Sequence, residues 1–203
     1  ELMFAFYLIF HPFNGYWELK HDKRGSVKSA TVILAVASIS FVVKDFFSGY
    51  LFTSSDLTKG GNIINSVANL LVPITLFCIA NWCLTSLADG KGKFGDIYIA
   101  SAYSLTPFVL FFIPVAILSN FLVLDESTFI SYAVNFAYIW MAILLFFGIM
   151  TIHDYSFNKN VLVTVGTIIG MAIILFLLLL FFNVGGRVVT FIENIYTELA
   201  FRT

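Results

Sequence analysis

The chain has 203 residues, of which 60% are hydrophobic and 11% charged, and its formal net charge is −1. A water-soluble domain carries about 25% charged residues to cover its surface. The composition, with a mean hydropathy of +0.94, therefore excludes a soluble globule and makes lipid the natural solvent. A balanced charge with no dominant basic patch argues against nucleic acid as a partner.

In chain order, the apolar run from Leu2 to Phe10 comes first. It is too short to span a bilayer, nothing basic precedes it and no small-residue cleavage site follows, so it does not read as a signal peptide. It is expected in the inner interface or packed against another protein. The stretch HPFNGYWELKHDKRGS follows. Pro12 and Asn14-Gly15 predict a turn, and WELKHDKRG a short interfacial helix ended by Gly25. Phe13, Tyr16 and Trp17 are expected at headgroup depth as membrane-interface anchors, with Lys20, Lys23 and Arg24 meeting anionic lipid. Glu18 and His21 lie one helical turn apart, a spacing found in metal-binding bundles. A metal needs three or four converging ligands, and His11 and His153 are the remaining histidines, so no metal and no cofactor is expected.

Five stretches are long enough, at about 20 residues, to cross the hydrocarbon core. They run from about Val27 to Phe47, Ile63 to Leu87, Ile97 to Leu124, Phe129 to Ile152 and Val161 to Asn183. The expected fold class is an all-α integral membrane protein, a five-helix transmembrane bundle with interfacial amphipathic helices at both termini. The expected division is 1–26 as an interfacial segment on the cytoplasmic side, 27–183 as the transmembrane domain and 184–203 as an amphipathic tail at the outer face. In that tail Val188, Phe191, Ile192, Ile195 and Leu199 recur at helical spacing, which suits an outer membrane surface or a partner. Lys20, Lys23, Arg24, Lys28, Lys91, Lys93 and Lys159 fall on one side, against Lys59, Arg187 and Arg202 on the other. The positive-inside rule then places the amino terminus in the cytoplasm and the carboxyl terminus outside. Lys44, near the outer end of the first span, is expected to snorkel outward.

Polar and small residues inside the spans suggest how the helices pack. Asn62, Asn65 and Asn69 share one face and read as interhelical hydrogen-bonding groups, with a polar substrate path as the alternative. Asn81, Asn120 and Asn135 take the same packing reading. Cys78 and Cys83, five apart, point about 140° away from one another on a helix, which disfavours a disulfide. Pro107 and Pro114, with Pro73 in the second span, predict kinks that either fit the packing or act as hinges. Gly166 and Gly170 allow close helix approach, internally or to a partner. No catalytic signature is present, GKGKFGD lacks phosphate-loop spacing, and His153-Asp154 reads as a solvated interfacial pair.

The segment ADGKGKFGDIYIASAYSLTPFVLFFIP resembles the bacterial branch of the Yip-one domain family, in which a Gly-rich cytoplasmic turn precedes a helix with an Ala-Tyr-x-x-x-Pro pattern. Here those residues are Ala102, Tyr103 and Pro107. HPFNGYWELKHDKRGS is similar to the opening of such proteins, and the resemblance covers roughly residues 11 to 183. It implies five spans with a cytoplasmic amino terminus in a bacterial cytoplasmic membrane. Eukaryotic relatives bind small GTPases, but their Asp-Leu-Tyr-Gly-Pro signature is absent here. Bacterial members imply a non-enzymatic accessory role, in some cases beside ABC-type importers, carbohydrate systems among them. The expected function is thus a membrane scaffold or accessory subunit, with membrane lipids and other integral membrane proteins, ABC permease subunits included, as partners. The alternative is a stand-alone pore or carrier for a small solute.

Overall fold

A computed structural model describes residues 3–22, 24–48, 62–122 and 126–201, with side chains as far as Thr197. Lys23, Lys59 and Arg202 lie outside the described residues, as do the side chains of Glu198 and Leu199. Among the described residues eight helices follow one another: α1 (Phe4–Phe10), α2 (Pro12–His21), α3 (Val27–Phe47), α4 (Ile63–Leu87), α5 (Phe94–Ser104), α6 (Thr106–Leu118), α7 (Ser127–His153) and α8 (Phe157–Phe201). Five stretches among the described residues are long and apolar enough to cross a membrane: α3, α4, α5 with α6, α7, and α8. The chain is an all-α membrane protein.

The middle span is two helices rather than one bent helix. Pro107 has no N–H to give to the carbonyl four residues earlier, and its ring crowds that carbonyl. The helix stops at Ser104 and restarts at Thr106. The carbonyl left over, that of Tyr103, accepts the Thr106 hydroxyl at 2.6 Å. Pro107 is buried, whereas Pro114 lies exposed within α6, so the two prolines do not line one crevice. Helix α4 runs unbroken through Pro73.

Helix α3 packs on α4, α5 and α6, and α7 packs on α2, α5 and α6. The buried centre includes Phe41, Phe77, Phe108 and Phe112. Lys44 does not snorkel outward: its ammonium lies over the Phe41 and Phe112 rings, 4.6 and 5.1 Å from their centroids, and 3.1 Å from Asp45 Oδ1. Those rings offer it a negative π face.

Helix α8 packs along α4 and touches α7. Its small residues make the approach: a methyl at Gly166 would come 2.7 Å from Leu84 Cδ2, and one at Gly170 3.6 Å from Ala80 Cβ. Between these two contacts Asn81 donates to Thr167 Oγ1 at 3.1 Å. The glycine pair therefore serves packing inside this chain. Asn120 likewise donates to the Phe47 carbonyl at 3.0 Å. Asn65, Asn69 and Asn135 are exposed, which corrects their expected packing role: these amides point away from the bundle, and Asn62 instead caps α4 by accepting from the Ile64 N–H. The tail also differs from expectation, because α8 continues without a break through Asn183 and Gly186 to Phe201.

Replacing Gly166 by Leu should push α8 off α4 and lower stability by about 1–3 kcal/mol, the usual cost of overpacking. Adding Leu84→Ala should recover part of the loss. Unfolding followed by circular dichroism in detergent measures both, and an unchanged midpoint for Gly166→Leu would mean the two helices do not meet there.

Candidate functional site

The features with the most polar chemistry gather at one end of the bundle, where α2, the start of α3, the α4–α5 loop and the α7–α8 turn lie. Two helices end there by the same device. Asp89 after α4 and Asp154 after α7 adopt left-handed backbone, with φ of 52° and 54°. A short polar side chain tolerates that region better than most. Each turn then closes with a six-to-one hydrogen bond, Gly90 N–H to the Thr85 carbonyl at 2.8 Å and Tyr155 N–H to the Met150 carbonyl at 3.0 Å.

The two turns fit against each other. His153 is buried, and its Nδ1 accepts the Gly92 N–H at 3.3 Å. A methyl at Gly90 would lie 2.5 Å from His153 Nδ1 and 2.7 Å from the Tyr155 hydroxyl, and one at Gly92 would lie 2.4 Å from Ile152. The first two glycines of GKGKFGD, Gly90 and Gly92, are thus spaces into which the histidine turn fits, while Gly95 faces open space. Tyr155 stacks on His153 and donates to the Ala88 carbonyl at 3.1 Å. Burial, and then the charge of Asp89, push its phenol above the ordinary range. Asp154 takes two lysines, Lys91 at 3.1 Å and Lys20 at 3.5 Å. The hydrogen bond from Lys91, with the nearby Lys20 charge, holds its carboxyl below the usual carboxylate range. His153 and Asp154 are therefore not a solvated pair: only the aspartate meets solvent. Between Tyr16, Lys20, Asp96 and Ile152 lies a cavity of about 10 Å³, room for one water molecule and for no larger ligand.

The expected interface anchors divide. Phe13 and Trp17 are each about half exposed, Phe13 with its ring against that of Phe147 in α7. Tyr16 turns into the bundle rather than toward lipid headgroups. It is fully buried, shares a 2.7 Å hydrogen bond with Ser104 Oγ, and fills the space over Gly148, where a methyl would meet its ring at 2.9 Å. Burial raises its phenol well above the ordinary tyrosine range. Lys20 pairs inward with Asp154, while Arg24 pairs with Glu18 at 2.9 Å and remains exposed. HPFNGY is not a turn either: Pro12 opens α2, and Asn14 and Gly15 lie inside it. Gly15 leaves room for Leu8 of α1, since a methyl there would lie 3.1–3.2 Å from Leu8.

Tyr103 is buried as the packing reading expects, and its hydroxyl donates to Ser29 Oγ at 3.2 Å. Ser29 in turn forms a reciprocal cap with Ser26 at the start of α3. So α5 is tied to α2 through Ser104 and to α3 through Tyr103. Among the described residues no group of three or more His, Cys, Asp or Glu is placed to hold a metal. Cys78 is buried, Cys83 is exposed, and neither is in a disulfide.

A sequence model of the Yip1 domain matches residues 6–189. The chain belongs to the Yip1 domain family. The matched stretch runs from α1 to within α8, so the Yip1 domain here comprises α1, α2, all five spans and the clasp between the two turns. No curated protein and no solved structure matches the chain. Sequence reading missed Ser29, Ser104, Gly90 and Asn160 as contact residues. Asn160 is buried and donates to the Phe146 carbonyl at 3.0 Å. An amide three residues into an apolar helix was the available signal.

Two outcomes follow for this end of the Yip1 domain. Tyr16→Phe should cost about 1 kcal/mol, a typical net hydrogen bond, and Tyr16→Ala about 3–5 kcal/mol, because the cavity over Gly148 is added; detergent unfolding curves separate the two. Asp154 contributes stability above the unfolded carboxylate pKa of about 3.9, and loses it as pH falls through its lower folded value. Asp154→Asn keeps a residue that tolerates left-handed backbone and removes the charge. Below pH 4 its melting temperature should fall less steeply than that of the unsubstituted chain, and parallel profiles would exclude the two-lysine pairing.

Proposed function

We propose that this Yip1-domain protein is a non-enzymatic membrane scaffold, an accessory subunit that packs against other integral membrane proteins. The observation that carries the reading is helix α8. It meets α4 and α7 over its first half, but from Leu175 through Thr197 every residue is exposed. A transmembrane helix that covers so little of itself has surface to give to another helix, and helices in lipid associate by packing rather than by a hydrophobic drive. The polar groups of the clasp fit the same reading, because Lys20, Lys91, Asp154, Tyr16, Tyr103 and Ser104 all have partners within the chain. They hold the fold instead of facing a substrate.

The partner class we favour is the permease of an ABC-type importer, which the family resemblance supports. The clasp end is placed in the cytoplasm and the carboxyl-terminal end of α8 outside a cytoplasmic membrane, on the strength of the Lys and Arg distribution. The stand-alone carrier drew on an amide face along α4. With Asn65 and Asn69 exposed, that face offers no internal path.

A tagged chain recovered from its own membranes in mild detergent should bring stoichiometric membrane proteins, read by mass spectrometry. Permease and ATPase subunits would identify the importer. Leu175→Arg and Leu179→Arg, on the uncovered stretch of α8, should lower that recovery at least severalfold while leaving the unfolding midpoint unchanged. A bait that returns alone would overturn the scaffold reading.

A further inference from the structure

Helices α1 and α2 form a hairpin whose closed end lies farther along α7 from the α7–α8 turn than its open end. His11 is the break between them, with φ −131° and ψ 66°; a residue before proline is pushed out of helical backbone. Two contacts with α7 fix how α2 runs. At its amino-terminal end the Phe13 ring lies 4.4 Å from the Phe147 ring, and at the other end Lys20 reaches Asp154 at 3.5 Å. Phe147 lies seven residues before Asp154, or about 10 Å up the α7 axis. Phe13 is therefore on the bundle side and Lys20 at the loop side. Helix α1 returns the chain the other way. Arg24 lies 5.8 Å from the Phe4 ring at the open end, while α1 also reaches α6, which begins beyond the Leu105 break.

Charge gathers at the open end, where Glu18, Lys20, Asp22 and Arg24 lie. Around the closed end Phe6, Phe10 and Phe13 are exposed, with Phe10 at 73%, and His11 and Asn14 are exposed between them, polar groups rather than carboxylates or lysines. The inner side is already filled: Leu8 and Ile9 pack into the bundle and Tyr16 reaches Ser104. The exposed rings thus surround a tip that lies beside a membrane-crossing helix.

We propose that α1–α2 is a re-entrant hairpin that enters the leaflet from the clasp side and returns to it, seating Phe10 and Phe13 among lipid acyl chains. The occupant is lipid rather than protein because the tip is flanked by α7, itself a span whose outer residues need hydrocarbon. Both segments are helical, which satisfies most of their backbone, and at the break His11 N–H donates to the Tyr7 carbonyl at 3.1 Å while the His11 carbonyl accepts from the Gly15 N–H at 2.8 Å. The proposal stands independently of the scaffold reading, since a bait that returned alone would leave it untouched.

The test places nitroxide labels in the full chain, in phosphatidylcholine–phosphatidylglycerol vesicles. Single cysteines replace Phe6, Phe10, Phe13, Trp17 and Asp22 in a Cys78→Ala, Cys83→Ala background whose unfolding midpoint is first matched to the parent. All five positions are on the surface; those at 13 and 17 also lose ring contacts with Phe147 and His21, so each labelled chain is used only where its unfolding midpoint stays at that of the background. Collision with oxygen, which concentrates in hydrocarbon, is compared with collision with a water-soluble nickel chelate. The expected result is oxygen-rich, nickel-poor collision at 10 and 13, the reverse at 22, and intermediate values at 6 and 17. Nickel access at 10 and 13 equal to that at 22 would put the hairpin in water and overturn the proposal. Shielding of 10 and 13 from both agents would also overturn it, by showing a protein over the tip.

Discussion

Pro107 denies the Tyr103 carbonyl its helical partner, and the rest of the bundle is arranged around that one break. Because α5 stops at Ser104, its last turn is free to present Tyr103 and Ser104 to two different neighbours. Tyr103 reaches Ser29 at the start of α3, and Ser104 reaches Tyr16 in α2. An uninterrupted helix would leave fewer unsatisfied polar groups, but it would not need these ties. In hydrocarbon an unpaired carbonyl costs several kcal/mol, so the Thr106 hydroxyl that accompanies the proline is as necessary to the break as the proline itself.

The clasp extends the same logic to the end of the bundle. A helix end leaves carbonyls unpaired, and here two ends lie side by side. Each closes its own turn with an aspartate in left-handed backbone, and the two closed turns then interlock through glycine. Gly90 and Gly92 are selected for the room they leave to His153, Tyr155 and Ile152. The resemblance to phosphate loops is therefore a coincidence of composition: glycines that let a backbone approach an anion and glycines that let it approach a side chain look alike in a sequence.

The five spans were legible because hydrocarbon thickness demands about 20 apolar residues and little else supplies such runs. Tyr103 and the Gly166–Gly170 pair were legible for a similar reason, since small or hydroxyl-bearing residues in apolar helices mark helix contacts. Depth and direction were not. Nothing in the type of Tyr16 distinguishes it from Phe13 and Trp17, yet Tyr16 alone points into the bundle, because its position on α2 faces Gly148. Asn65 and Asn69 share a face, but sequence does not say whether that face turns inward. Asn14-Gly15 has the composition of a turn, and tertiary contact with Leu8 overrides that preference and leaves it helical.

What results is a fold that differs from a soluble domain in its outer surface, which is as apolar as its core, and in the hydroxyl and amide groups set within that core. Ser40, Asn81, Ser101, Ser104 and Thr167 are fully buried, while Phe10, Ile168, Phe176, Leu179 and Phe181 are exposed. In water this arrangement would be unstable on both counts, since buried hydroxyls gain little and exposed phenyl rings cost much. In lipid both signs change. Exposed apolar surface costs nothing, and a hydroxyl or amide finds its best partner only inside, next to another helix. The Yip1 domain thus separates its two kinds of surface: polar contacts turn inward and fix the fold, and apolar surface turns outward and remains free. That division lets one uncovered helix meet a neighbour in the membrane without disturbing the hydrogen bonds that hold the bundle, because the two sets of contacts share almost no residues.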